Sequence, residues 1–326
     1  MSQVLKNSNV AQESTNSKSP IESRPLDLAS ATLAAAAAAL WGGTAVAVKY
    51  SGDMLPPVTI AAIRFALAAL FMMVWCPLCR LPLRIERSKF AIALGGGLLF
   101  FVQIVLFNFA IHWSNASHSI LLISCYIPFV SIIEHFITRT DRMTKTKVIG
   151  MTMSACGVIL VLFVANNPDP KSNVDADSPS LVGDFLMLCS SVVLAIKLVY
   201  TKTAVKQIPP TTFIFWHHVT GTAMFTVCSL IFEKSYSLPF FDLTRPAILG
   251  LLYQGLVVGG LCFAIQATLL SKFSATKIAV FSFACPLFGV IAAVLFRGDQ
   301  ISLWFILSGI LVAVGIYLVN AANDKA

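Results

Sequence analysis

Ten apolar runs of about twenty residues divide this chain, each long enough, at about 1.5 Å rise per residue, to cross a hydrocarbon core of about 30 Å. They fall near residues 28–48, 58–79, 90–111, 117–138 and 146–165, then 182–202, 211–232, 246–270, 275–296 and 301–320, with charge, proline or glycine at the breaks. A soluble surface needs about 25% charged residues. Here charged residues make up 12% and hydrophobic ones 57%, with a mean hydropathy of +0.82. The runs are therefore expected to be spans, and the fold class an all-α integral membrane protein of about ten transmembrane helices. The net charge of +8 points to no nucleic-acid partner, because Lys and Arg sit in short loops between spans and form no basic face.

The positive-inside rule predicts the orientation. With a cytoplasmic N-terminus the inner loops hold twelve Lys and Arg, from Arg80, Arg84, Arg87 and Lys89 through to Lys272 and Lys277, and the outer loops hold five. Both termini are thus expected in the cytoplasm, in the cell membrane. Residues 1–26 are rich in Ser, Asn and Glu and are expected to form a disordered polar tail. Residues 166–180, NNPDPKSNVDADSPS, are expected to be a solvated linker between two sets of five spans, 27–165 and 181–321, followed by a short tail at 322–326.

The two sets resemble each other. A shift of 153 residues places Pro56-Pro57 on Pro209-Pro210, Lys49 on Lys202 and Arg64 on His217. A shift of 158 places Asn108 on Gln266, Pro128 on Pro286, Asp141 on Asp299 and Gly157 on Gly315. Because five is odd, a duplicated five-span unit must insert in opposite orientations, which predicts an inverted repeat with a pseudo-two-fold axis in the membrane plane.

Leu40-Trp41-Gly42-Gly43-Thr44 closes the first span, Arg64-Phe65 follows Pro56-Pro57 in the second, and small residues lead from Ser117 to Pro128 in the fourth. Ser274 to Pro286, Gly298-Asp299 and Gly309 to Gly315 follow in the second set. In this order the motifs resemble the EamA-type branch of the drug/metabolite transporter superfamily over about residues 28–320. The family often has Glu where Asp141 and Asp299 stand, but a carboxylate is kept at both joints. The resemblance implies alternating-access transport of small organic metabolites through a cavity lined mainly by spans one, three, four, six, eight and nine.

A charge near the bilayer centre costs at least about 2.5–3.5 kcal/mol on insertion scales, so intramembrane ionisable groups are the candidates for function. Arg64, Lys197, Glu134 and His217 qualify, and a Glu134–Lys197 ion pair would offset two desolvation costs. Each has a structural alternative, in which Glu134 and Lys197 snorkel to the interface and Arg64 bonds backbone carbonyls. Trp41, Gln103, Tyr126, Tyr200 and Gln254 complete the candidate substrate-binding set, suited to a polar amphiphile such as an amino acid. His217 is also a candidate for proton coupling.

No Walker P-loop occurs and no nucleophile–base–orienter triplet is recognisable, so neither ATP hydrolysis nor another enzyme activity is expected. The histidines lack ligand spacing, and Cys76-x-x-Cys79 has no second pair, so no metal and no cofactor are expected. Partners are then a small-molecule substrate and membrane lipid, and a homodimer is compatible with the pattern. An exporter of amino acids or related amphiphiles is the leading reading, beside an organellar sugar-phosphate or nucleotide-sugar antiporter and a non-transporting scaffold.

Overall fold

The structure, a computed structural model, describes residues 28–138, 143–166, 180–234, 242–270, 284–299 and 301–321. The 1–26 tail, Asp141 and nearly all of the 166–180 linker lie outside them. Ten helices follow one another, with no strand among the described residues. These are α1 Leu28–Gly52, α2 Pro57–Leu78, α3 Arg87–His112, α4 Ala116–Ile137, α5 Lys145–Asn166, α6 Leu181–Ala204, α7 Pro210–Glu233, α8 Arg245–Gln266, α9 Ala284–Arg297 and α10 Leu303–Ala321. In hydrocarbon every backbone amide must find its partner within the segment, and helices are how such apolar sequences achieve that. Large apolar side chains stand exposed on the outer faces, among them Val74, Ile149, Phe232 and Leu295. This is the surface of a multi-pass membrane protein turned toward lipid tails.

The helix boundaries have local causes. Pro57 and Pro210 each start a helix at its first turn, where the missing N–H leaves no bond unmade. Asn115 caps α4 by accepting from His118 N, and Ser180 caps α6 by accepting from Gly183 N. α4 is interrupted at Ser124-Cys125, just where Pro128 removes the donor that would hold the Ser124 carbonyl. α9 ends at Gly298, whose φ of +71° suits a residue without Cβ.

Packing is symmetric in its pairs. α2 lies on α7, α5 on α10 and α4 on α9; α3 meets α6 as α1 meets α8, α2 meets α8 as α3 meets α7, and α1 meets α9 as α4 meets α6. Small residues set the closest approaches. A Cβ on Gly42 would lie 2.6 Å from the Cys285 carbonyl oxygen and 2.8 Å from Gly289 N, both backbone atoms. Gly42→Val is therefore expected to force α1 and α9 apart at a cost of about 1–3 kcal/mol or more. A lowered thermal midpoint and loss of a monodisperse size-exclusion peak in detergent check this.

Candidate functional site

The sequence of α2 and α3 places Phe65 and Phe100 on facing sides of their crossing, where the rings meet edge to face at 4.4 Å. Four basic side chains gather around this pair. The Arg64 guanidinium lies 4.6 Å from the Phe65 centroid, and the Lys197 ammonium lies 5.1 Å from that of Phe100. His218 stacks on Phe65 at 5.5 Å, and His217 packs against Phe100 at 3.9 Å. All four are buried, and Arg64, Lys197 and His218 feel one another's charge.

Gln103 is fixed from two sides. Its Nε2 donates to Ser190 Oγ at 3.1 Å while that hydroxyl donates to the Gln103 carbonyl at 3.0 Å, leaving Oε1 to accept from Lys197 Nζ at 3.2 Å. Arg64 has less: its Nε and Nη1 are buried without a hydrogen-bond partner. No carboxylate among the described residues is within ion-pair distance of either cation. A cation on an aromatic face recovers about 0.5–2 kcal/mol. Against at least about 2.5–3.5 kcal/mol for each charge, the aromatic faces offset only part of the cost. The cluster is an electropositive, polar interior held by α2, α3, α6 and α7.

Of the residues expected from sequence, Arg64, Gln103, Lys197 and His217 come together here. Trp41 reaches the periphery, its ring set edge-on to Phe263 at 5.6 Å, and Phe263 in turn contacts His218 at 5.1 Å. Gln254 serves a second group, donating to the Ala47 carbonyl at 2.9 Å and to Ser51 Oγ at 3.0 Å. It sits at the start of a π-helical stretch, Tyr253–Cys262, while Tyr253 OH donates to the Leu40 carbonyl beside the interruption of α1 at Gly43. Tyr200 donates to the Ile92 carbonyl at 2.8 Å, and Tyr126 packs with an apolar cluster around Phe107 and Met187. The Glu134 side chain lies outside the described residues, and with it the expected Glu134–Lys197 pair.

A ring of carboxylates stands at the end of the bundle where α2, α4 and α6 begin; sequence reasoning singled out Asp299 and missed Asp184, Glu233 and Asp53. Asp184, fully buried, accepts from Ser114 Oγ at 2.5 Å, and its Oδ2 lies 2.7 Å from His118 Nδ1. Glu233 accepts from Val58 N at 2.8 Å and from both N and Oγ1 of Thr59 at 2.7 Å, capping α2 from α7. Asp299 accepts from Ser117 N at 2.9 Å, and Asp53 from Arg297 at 2.8 Å. Each bond joins a residue before position 167 to one after 179. At the opposite end such bonds run to backbone carbonyls, with Thr212 Oγ1 donating to Pro82 at 2.8 Å and Trp216 Nε1 to Leu83 at 2.9 Å. The signal available in sequence was an acid at or just beyond the end of a span.

Comparison with known proteins decides the class of this architecture. The model of the EamA-like transporter family matches residues 28–163 and again 181–321. The chain belongs to this family. The EamA-like chain is 25% identical to the Bacillus subtilis (strain 168) "Uncharacterized transporter YoaV" over 281 residues, covering 86% of this chain and 92% of the other. It is 22% identical to a "Probable amino-acid metabolite efflux pump" of Escherichia coli (strain K12), over 86% and 90% of the two chains. A solved crystal structure at 15% identity superposes with a TM-score of 0.65, covering 89% of this chain and 98% of that one, a likeness of fold. The EamA-like chain is accordingly a membrane transporter of small molecules, and the Phe65–Phe100 cluster is its candidate substrate site.

Proposed function

We propose that this chain is a secondary transporter that exports amino acids or related amphiphiles across the cell membrane by alternating access, with both termini cytoplasmic. The observation that carries the reading is the buried cluster of Arg64, Gln103, Lys197, His217 and His218, contributed by helices from both sets of five and not compensated by a described carboxylate. A bundle that only supports other proteins gains nothing from such an interior. The relative named for amino-acid metabolite efflux favours this substrate range.

The two sets are read as inverted repeats of one unit. Two family matches and the exchange symmetry of the helix pairs support this. So does the stack of Phe65 on His218, two positions that coincide under the 153-residue shift. Substrate held between the repeats near the midplane would be released alternately at either end as the repeats rock. In the proposed orientation the carboxylate ring faces outside and the carbonyl-bonded end faces the cytoplasm. Outward opening then requires Glu233 to leave the α2 amides, and movement is driven by the substrate gradient or a proton gradient.

Glu233→Ala removes three bonds to a charged acceptor at a helix N-terminus and is expected to destabilise the outwardly closed state by about 1–3 kcal/mol. A cysteine placed at Asn108 should then react faster with an impermeant thiol reagent added outside; an unchanged rate would remove Glu233 from the gate. The export reading itself is tested by expressing the chain in cells and following amino acids and their N-acylated and other organic-acid relatives in the medium. Expression should raise the external level of at least one of them and lower its internal level, whereas an unchanged distribution of every one of them would refute export of this class.

A further inference from the structure

We propose that Arg64 seats the carboxylate of a net-anionic substrate with an apolar body, with Lys197 supplying the second positive charge. The inference rests on the reading of the Phe65–Phe100 cluster as the transport site and narrows the proposed range of amino acids and related amphiphiles to its second part, organic acids that carry no ammonium group.

Three features of the cluster lead there. The guanidinium offers two edges to a carboxylate, one formed by Nε and Nη2 and the other by Nη1 and Nη2, and each keeps an unpaired buried donor because Nε and Nη1 have no partner. A purely structural arginine at this position would direct these donors to backbone carbonyls, and they are not so directed. Among the described residues, the titratable groups that share the Phe65 and Phe100 rings with Arg64 and Lys197 are His218 and His217 of α7, both basic. The two central rings each already meet a cation, Phe65 that of Arg64 and Phe100 that of Lys197. An anion completes this environment, whereas a zwitterion brings a cation into a site that already holds two. Phe213, Phe225 and Phe263, packed on the same histidines and phenylalanines, provide walls for an aliphatic or aromatic body.

A charge series on one side chain tests this with the full-length protein in detergent. N-acetyl-leucine carries one negative charge, leucine is a zwitterion, N-acetyl-leucinamide is neutral and leucinamide is a cation. The anion is expected to raise the thermal unfolding midpoint more than the other three and to compete best against counterflow in proteoliposomes. Arg64→Gln should abolish the anion's effect, Arg64→Lys should retain a weaker one, and Lys197→Gln should reduce it several-fold. If Arg64→Gln does not fold, the order of the four compounds on the wild type still decides. Equal or greater stabilisation by the zwitterion, the neutral amide or the cation would overturn the proposal, as would an undiminished anion effect in a folded Arg64→Gln protein. No effect from any of the four would also overturn it. Saturable counterflow of another compound would then leave the transport reading standing, and its absence across a broad panel would remove that reading as well.

Discussion

Asp184→Ala is expected to lower stability by about 3–5 kcal/mol, a larger loss than Glu233→Ala brings. Asp184 is fully buried, and its two oxygens serve Ser114 Oγ and the His118 ring. His118 is itself buried against the ring of Phe305, so removing the acid strands a buried hydroxyl and a buried imidazole. α3, α4, α6 and α10 would lose a common anchor. Asp184→Asn keeps one acceptor and is expected to cost less than half as much. Thermal and denaturant unfolding of the purified variants, followed by helical circular dichroism, checks both; a loss below about 1 kcal/mol for the alanine would mean that water solvates the pair and that the anchor is not one.

Lys197→Met should do the opposite, sparing stability and removing transport. An ammonium with one amide acceptor and one aromatic face, 8% exposed, is not a stabilising group in a low-dielectric interior. Its replacement by an apolar side chain of similar length is expected to be neutral or stabilising. Bonds to a charged group contribute about 1.5–3 kcal/mol, and each 1.4 kcal/mol is tenfold, so flux should fall roughly 10- to 100-fold. A variant that unfolds more readily but transports normally would assign Lys197 to structure. The contrast with Asp184 is informative because evolution tolerates uncompensated buried charge mainly where function uses it.

The elements governed by local rules were legible in the sequence. Pro57 and Pro210 start helices, Pro128 interrupts α4, and Gly157 and Gly315, which the 158-residue shift superposes, each have backbone of the other's helix within 2.8 Å of the Cβ position. Rotation about the helix axis was not legible, because spans this uniformly apolar carry little amphipathic signal to say which face turns inward. For that reason Tyr126 is found against an apolar cluster, and Tyr200 on the Ile92 carbonyl. Arg64 on α2 and Lys197 on α6 come from different sets of helices, yet both reach the same phenylalanine pair.

Partnerships across the two sets of helices were also hidden. Glu233 looks like an ordinary charged span end until α7 brings it to the first amides of α2. The π-helical stretch of α8 turns Gln254 toward α1, and only the nearby Gly255, Gly259 and Gly260 hinted at an irregular segment.

The central claim, that this chain moves small organic solutes through a site between its two sets of helices, is tested most directly by counterflow in proteoliposomes. Purified protein would be reconstituted into vesicles loaded with unlabelled amino acids, their N-acylated forms, nucleosides or sugar phosphates, and entry of the labelled counterpart followed with and without a pH gradient. The structure predicts saturable entry that is accelerated by the same compound inside, for an amino acid or a related organic acid, and lost in Lys197→Met. Entry no faster than in protein-free vesicles for every class, from protein shown to be folded, would contradict it.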